Sequence, residues 1–321
     1  MSVIELLKEN LQQKWSFEKE MKIQTEMIPA MLEGKDIVAE SPTGSGKTLA
    51  YTLPILNKVD GSKKAIQALI VAPSQELAMQ IVEVIREWTA GSDITVQQLI
   101  GGANSARQIE KLKKKPTIVV GTPGRLNELM RSGKLKLKDV ETIVLDECDQ
   151  LLSREYRVVV KSFIDASAYG RQIVVVSATI TEEIELVAAR MMFEPVRIKI
   201  TPDDIEQEGG KVVHSFIKVD ERDKTDLLRR LANMEGVHGL AFVNNIDQVL
   251  MKENKLKYRD AAIVSLHSDM KKEERKKALD DFRKGEARIL IATDVAARGL
   301  DISGLTHVIH VDVPRTIEQY T

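Results

Sequence analysis

The feature that most constrains this chain is a glycine-containing turn, Ala39-Glu40-Ser41-Pro42-Thr43-Gly44-Ser45-Gly46-Lys47-Thr48. The run before it, Asp36-Ile37-Val38-Ala39, is typical of a buried strand, and residues 49–56 are typical of a helix. A strand, a turn that ends in Gly-Lys-Thr and a helix together form the pattern of a phosphate-binding loop. The sequence therefore predicts an α/β fold with this loop at the carboxyl end of a strand.

The residue types in the turn suit a triphosphate. Gly44 and Gly46 permit positive φ angles and close approach of the backbone, and N–H groups at a helix N-terminus favour an anion. We expect Lys47 to reach the outer phosphates and the Thr48 hydroxyl to ligate Mg²⁺. Ser41 occupies a position that is glycine in the strict pattern. A surface loop that contains Gly-Lys-Thr by chance is the alternative, and the flanking strand and helix argue against it.

Composition limits the class of protein. The chain has 321 residues, of which 43% are hydrophobic and 30% charged, so two domains of ordinary size are possible. No apolar run is long enough to span a bilayer, and the acidic, amphipathic N-terminal segment is not typical of a signal peptide. A single cysteine, Cys148, excludes an internal disulfide and fits a reducing cytoplasm, which is the expected location. The net charge of −1 neither indicates nor excludes nucleic acid binding.

Apolar runs alternate with helical segments along the chain, which predicts parallel sheets covered by helices on both faces. In the first half, strands are predicted at 68–71, 95–99, 117–120, 142–145 and 173–176. In the second half, they are predicted at 213–219, 239–243, 261–266, 288–291 and 307–311. Residues 201–211 contain Pro, paired Gly and acidic residues, as linkers do. We predict two parallel-sheet domains, 1–200 and 212–321, joined by this linker, the second incomplete at its C-terminus.

Two acids, Asp146 and Glu147, directly follow the predicted strand 142–145. In a phosphate-loop protein, one acid at the end of a neighbouring strand can hold Mg²⁺, and a second can orient or deprotonate the attacking water. We predict that Asp146 binds the metal and that Glu147 orients the water. The alternative is an ordinary acidic cap at the end of a strand, which explains one acid well but two acids poorly. Cys148 is interpreted as a packed residue rather than a nucleophile, since no histidine lies within the motif.

The motifs of this chain resemble those of the DEAD-box RNA helicases over nearly its whole length. Each motif alone is weak evidence, but the full set in this order is specific to that family. The motifs are Phe17 with Gln24; Ser41 to Thr48; Pro73 to Ala78; Gly101-Gly102; Thr122-Pro123-Gly124-Arg125; Asp146-Glu147-Cys148-Asp149, which reads DECD; Ser177-Ala178-Thr179; Phe242-Val243-Asn244; and Thr293 to Asp301. The resemblance implies two RecA-like domains, ATP and Mg²⁺ as cofactors, and RNA held by its backbone with little sequence preference. It also implies that both ligands close the cleft and that a short duplex is separated locally.

The resemblance also assigns roles to residues. It implies nucleotide contacts from Phe17, Gln24, Ser41, Pro42, Thr43, Gly44, Ser45, Gly46, Lys47, Thr48 and Asp301. It implies RNA contacts from Pro73, Ser74, Gly102, Thr122, Arg125, Asn244 and Thr293. It implies that Ser177, Thr179 and Arg298 couple the two sites.

Three departures from the family pattern lead to further expectations. Glu20-Met21-Lys22 replaces Pro-Thr-Pro before the glutamine of the first motif, and Gln75 replaces an arginine. The chain also ends at Thr321, where the family has an arginine-rich motif worth roughly 10³–10⁵ in rate. We therefore expect a truncated helicase with weak or absent turnover. An ATP-gated RNA clamp without productive unwinding and a DNA translocase or other phosphate-loop ATPase are the alternatives. We expect no membrane partner, and the sequence does not identify any protein partner.

Overall fold

The computed structural model of the chain describes residues 2–102, 105–201, 203–204, 213–259, 261–297, 302 and 304–314. The chain divides into two compact units, Met1–Val212 and Val213–Thr321. Each unit contains its own parallel sheet, which confirms the predicted fold class.

The first unit alternates strands and helices in the order that the sequence predicts. Its strands are β1 (Ile37–Glu40), β2 (Ala68–Val71), β3 (Val96–Leu99), β4 (Ile118–Gly121), β5 (Thr142–Asp146), β6 (Gln172–Ser177) and β7 (Val196–Lys199). Its helices are α1 (Glu9–Gln12), α2 (Lys22–Leu32), α3 (Lys47–Lys58), α4 (Gln75–Thr89), α5 (Ser105–Leu112), α6 (Pro123–Arg131), α7 (Cys148–Leu151), α8 (Arg157–Asp165) and α9 (Glu182–Ala189). Strand β7 and the short helix α7 were not predicted.

The strand order of the first sheet places the predicted site residues side by side. The order is β3-β4-β2-β5-β6-β1-β7, and all neighbouring pairs are parallel. Glu40 pairs with Ser177, and Asp146 pairs with Val176, so the ends of β1, β6 and β5 lie at one level. The phosphate loop and the two acids therefore leave the sheet at the same edge.

Alternate residues of each strand pack on opposite faces of this sheet. Ile37 and Ala39 belong to the core that contains apolar side chains of α2, α3 and α4, whereas Val38 belongs to the core that contains those of α6 and α8. All three are at most 6% exposed. A fully buried side chain of this kind contributes about 1.5–3 kcal/mol, so the two cores fix the register from which the site loops emerge.

The second unit contains a smaller sheet of order β11-β8-β10-β9, again with parallel pairs. Its strands are β8 (Gly239–Phe242), β9 (Ile263–Leu266), β10 (Ile289–Ala292) and β11 (His307–His310). Its helices are α10 (Lys224–Ala232), α11 (Ile246–Lys257), α12 (Lys272–Arg283) and α13 (Asp294–Ala297).

The predicted strand at 213–219 was wrong, because residues 213–220 form no strand. The segment has the apolar content of a strand, but Val213, Phe216 and Ile217 are 74%, 93% and 62% exposed. No strand among the described residues pairs with this segment, and a preference for extended backbone alone does not produce a strand. Among the described residues, no helix has the length and apolar character needed to cross a membrane.

Candidate nucleotide-binding and catalytic site

The turn between β1 and α3 is braced by its own serines. Gly44 and Gly46 have φ angles of 76° and 85°, which are strained for other residues. The buried Ser41 hydroxyl donates to Ser45 Oγ at 2.5 Å, and Ser45 Oγ donates to the Pro42 carbonyl at 2.7 Å. Ser41, which departs from the strict motif, thus uses its side chain to hold the loop in shape.

Lys47 is the first residue of α3 and folds back over this loop. Its Nζ donates to the carbonyl oxygens of Ser41 at 2.6 Å and Pro42 at 2.8 Å. Burial lowers the pKa of Lys47, and the charges of Asp146, Glu147 and Asp149 oppose that shift. The loop lysine and the strand-end acids therefore share one electrostatic environment, as the sequence predicts.

Asp146 is the last residue of β5 and is 3% exposed. Its Oδ2 accepts a hydrogen bond from the Tyr51 hydroxyl at 2.8 Å, and its Oδ1 accepts from the Glu147 backbone N–H at 2.9 Å. Burial raises the pKa of Asp146, whereas the Tyr51 hydrogen bond and the charge of Lys47 lower it. The carboxylate is thus held in a defined orientation beside α3.

Glu147 and Cys148 differ sharply in accessibility to a ligand. Glu147 has a left-handed backbone (φ 53°, ψ 55°), and its Oε2 accepts from Gln150 Nε2 at 2.9 Å. Cys148 is fully buried, and burial raises the pKa of its thiol far above the ordinary value. Because the thiolate is the nucleophilic form, the structure supports the interpretation of Cys148 as a packed residue.

Ser177 at the end of β6 connects the phosphate loop with the acidic motif. Its carbonyl accepts from the Ser41 N–H at 2.9 Å. Its hydroxyl donates to Asp149 Oδ1 at 2.7 Å and accepts from the Thr179 N–H at 3.4 Å. Ser177 and Thr179 are the residues of the first unit that are predicted to couple the two sites. Ser177 contacts the acidic motif directly, and Thr179 contacts it through Ser177.

Gln24 contacts the phosphate loop, whereas the Phe17 ring packs on a neighbouring aromatic side chain. Gln24 is buried, and its Nε2 donates to the Gly46 carbonyl at 3.4 Å, while its Oε1 accepts from the Met21 N–H at 2.9 Å. Phe17 is 52% exposed, and its ring packs edge-on against Trp15 with a centroid distance of 5.0 Å. A half-exposed aromatic ring and a braced amide are suited to stacking on a base and reading its edge.

The residues predicted to contact RNA in the first unit follow β2, β3 and β4, which are adjacent. Ser74 caps α4 by accepting from the Leu77 N–H at 3.1 Å, and Thr122 precedes Pro123 at the first position of α6. The Thr122 N–H donates to the Leu99 carbonyl at 3.1 Å, and Gly102 has a φ of 65°. Two helix N-termini and a glycine turn thus share an edge, and helix N-termini favour phosphate groups.

Arg125 is 7% exposed, which the sequence did not indicate. Its guanidinium donates to Gln108 Oε1 at 3.3 Å, Ser105 Oγ at 2.8 Å and Glu128 Oε1 at 2.6 Å. Gln108 Nε2 in turn donates to the Ile100 carbonyl at 2.9 Å. These contacts tie α6 to α5 and to the loop that leads to Gly102, and direct RNA contact by Arg125 stays a prediction.

In the second unit, Asn244 follows β8, and its N–H donates to Asp312 Oδ2 at 2.9 Å. Thr293 follows β10, and its Oγ1 accepts from the Ala296 N–H at 3.4 Å. Both residues therefore lie after the carboxyl ends of adjacent parallel strands. The predicted site residues Arg298 and Asp301 lie outside the described residues.

Tyr51 and Gln108 contact predicted site residues but were not themselves predicted from the sequence. Tyr51 belongs to an apolar helix pattern, so nothing in the sequence distinguishes it from an ordinary core aromatic. Gln108 could have been noticed as a polar residue on the inner face of an amphipathic helix. No cluster of three or more His, Cys, Asp and Glu side chains suited to a metal ion occurs among the described residues.

Comparison with known proteins establishes the family. The DEAD/DEAH box helicase model matches residues 21–187, and the model of the helicase conserved C-terminal domain matches residues 223–321. The chain is 46% identical to a probable ATP-dependent RNA helicase, YfmL of Bacillus subtilis, over 95% of this chain and 81% of that protein. This chain belongs to the DEAD/DEAH box helicase family.

Two further relatives of this DEAD/DEAH box helicase support the same grouping. The DEAD-box ATP-dependent RNA helicase CshC of Bacillus cereus is 43% identical over 97% of this chain and 80% of that protein. The structure of S. cerevisiae Dbp5 bound to RNA and ADP BeF3 superposes with a TM-score of 0.82 at 29% identity, covering 99% of this chain and 82% of that one. The resemblance inferred from the motifs and the two RecA-like sheets are thus confirmed.

Proposed function

We propose that this DEAD/DEAH box helicase is an ATP-dependent RNA helicase that hydrolyses ATP at the turn Ser41–Thr48. The observation that carries the proposal is the junction of α3 with the end of β5. There Tyr51 donates to Asp146, and Lys47 lies in the field of Asp146 and Glu147. A phosphate loop next to two strand-end acids is the arrangement that phosphoryl transfer to water requires.

The residues present fit a magnesium ion bound together with a nucleotide. Thr48 and Asp146 offer hard oxygen donors, and the Tyr51 hydroxyl donates to Asp146. Mg²⁺ in such enzymes usually takes one or two protein oxygens plus phosphate oxygens, so a cage made only of protein side chains is not needed. When bound, the ion would neutralise charge that develops on the phosphates.

The other residues bind the nucleotide or orient the water. Lys47 would place its charge on the outer phosphates once they replace the carbonyl oxygens of Ser41 and Pro42. Glu147, held by Gln150, would accept a hydrogen bond from the attacking water and take up its proton. Phe17 and Gln24 would select adenine by stacking and by hydrogen bonding.

RNA is proposed to bind along the adjacent edge of the first unit and at Asn244 and Thr293 of the second. The N-termini of α4 and α6 suit backbone phosphates, so affinity should depend little on base sequence. Contact with the 2′-hydroxyl would distinguish RNA from DNA. Arg125 is proposed to support this edge by fixing α5 and α6.

The proposal is tested by measuring phosphate release from ATP with single-stranded RNA, with DNA of the same sequence, and without nucleic acid. RNA should stimulate the rate more than DNA does. Glu147→Gln should reduce the stimulated rate about 10²–10⁴-fold, the usual contribution of general acid–base catalysis. Glu141→Gln, an exposed position just before β5, is the matched control and should change little.

Each outcome of this assay is informative. Absence of both RNA-stimulated hydrolysis and ATP-dependent RNA binding would count against RNA as the substrate. ATP-dependent RNA binding without duplex separation would instead favour the clamp. The rate with RNA also tests the expectation of weak or absent turnover, which robust RNA-stimulated hydrolysis would contradict.

A further inference from the structure

We propose that the Tyr51 hydroxyl is a positioning group for Asp146, a proposed magnesium ligand, an inference that rests on the function proposed above. Tyr51 lies on α3, three residues after Thr48, on the same side of the helix. Its ring is part of the apolar core, whereas its hydroxyl reaches β5. It therefore connects the phosphate loop and the acidic motif, which are 95 residues apart at this contact.

The contacts of this hydroxyl are specific. The Tyr51 side chain is fully buried, and its oxygen donates to Asp146 Oδ2 at 2.8 Å. Burial raises the pKa of Tyr51, and the nearby Thr48 side chain partly opposes that shift. A buried phenol needs a hydrogen-bond partner, but an apolar core offers few. Here the partner is Asp146, one of the side chains proposed to hold the ion.

The geometry fixes the Asp146 carboxylate before any ligand arrives. Tyr51 holds Oδ2, and the Glu147 N–H holds Oδ1 at 2.9 Å. Hydrogen bonds to metal-ligating side chains orient them, and their loss typically lowers metal affinity or activity about 10–100-fold. Removal of the Tyr51 hydroxyl should therefore weaken magnesium binding without disturbing the phosphate loop.

Thr52, the next residue in the chain, offers a matched control. It is 1% exposed, and its Oγ1 has no hydrogen-bond partner in the described part of the chain. Thr52→Val thus removes a buried hydroxyl from the same helix without touching Asp146. Tyr51→Phe removes a buried hydroxyl that does touch it.

The experiment measures binding of mant-AMP-PNP, a fluorescent ATP analogue that is not hydrolysed, in EDTA and across a magnesium titration. In EDTA, both variants should match the unmodified protein within about twofold. For Tyr51→Phe, the magnesium concentration that half-saturates the affinity gain should rise about tenfold. For Thr52→Val, it should not change. Electron paramagnetic resonance of bound Mn²⁺ provides a second measure of ion affinity.

A second background separates positioning from a merely structural role. In Asp146→Asn, adding Tyr51→Phe should change the magnesium dependence less than about twofold, because the group that Tyr51 orients is already altered. Two results for Tyr51→Phe would overturn this inference but not the proposed function. One is equal weakening of analogue binding with and without magnesium, and the other is an unchanged magnesium dependence. Failure of the unmodified protein to bind the analogue, or to respond to magnesium, would overturn the proposed function as well.

Discussion

Gly46→Ala tests whether Gln24, which is proposed to read adenine, forms one unit with the phosphate loop. Gly46 has a φ of +85°, and a Cβ there would lie 2.7 Å from Gln24 Nε2 and 3.0 Å from Met21 Sδ. The amide of Gln24 would have to move. That movement would break its contacts with the Gly46 carbonyl and the Met21 N–H.

The same turn provides the control. Gly44 has a φ of +76°, and a Cβ there would meet nothing within 4 Å. Either alanine suffers about 1–2 kcal/mol of left-handed strain. Only Gly46→Ala also disturbs two hydrogen bonds of Gln24, worth about 0.5–1.5 kcal/mol each, so it should be less stable than Gly44→Ala by about 1–3 kcal/mol. For a unit of this size, that lowers the unfolding temperature by a further 2–12 °C or so.

Thermal unfolding and binding of fluorescent ADP and GDP are the two measurements. Gly44→Ala should weaken both nucleotides alike and keep the ratio of their affinities. Gly46→Ala should reduce the preference for ADP about tenfold, the value of one lost hydrogen bond of about 1.4 kcal/mol. If the two variants unfold at the same temperature and share one ADP preference, then Gln24 is not braced by the loop.

Three further predictions address buried groups. Burial raises the folded-state pKa of Asp146, so its contribution to stability is present below the unfolded-state pKa and lost as pH rises through the folded-state value. Asp146→Asn should therefore unfold at a higher temperature than the unmodified protein near neutral pH and lose this advantage in acid; lower stability near neutral pH would contradict the reasoning. Cys148 should resist a thiol reagent in the folded protein at neutral pH and react fully in denaturant, because the folded protein buries the thiol and raises its pKa. Arg125→Met should cost about 1–3 kcal/mol in thermal unfolding without changing nucleotide affinity, whereas Arg131→Met, at the exposed end of the same helix, should cost little.

The sheets were predictable because their signal is local. The run Thr142 to Leu145 is apolar or β-branched throughout, and such runs form strands buried on both faces. The segment 213–219 shows the limit of this reasoning. It has similar residue types, but a strand also requires a partner, and whether one is available depends on residues elsewhere in the chain.

Part of the site was predictable for the same reason. The turn Ser41–Thr48 is contiguous, and the acids at 146 and 147 follow a strand whose neighbours can be inferred. The contact between Tyr51 and Asp146 joins two motifs that are distant in sequence, and the burial of Arg125 depends on Gln108 of another helix. Contacts of this kind follow from packing, which no local pattern specifies.

Glu147 shows why the turn proposed to be catalytic is harder to predict than the strand before it. Its left-handed conformation costs a residue with a side chain about 1–2 kcal/mol, so local preference opposes it. The conformation persists because Cys148 and Leu151 are fully buried after it and because Asp146 accepts its N–H. The same strand end also carries a buried carboxylate and faces a partly desolvated lysine, Lys47. Three unfavourable features concentrated at one strand end, in a sheet that otherwise follows local preference, are expected where a charged ligand completes the site.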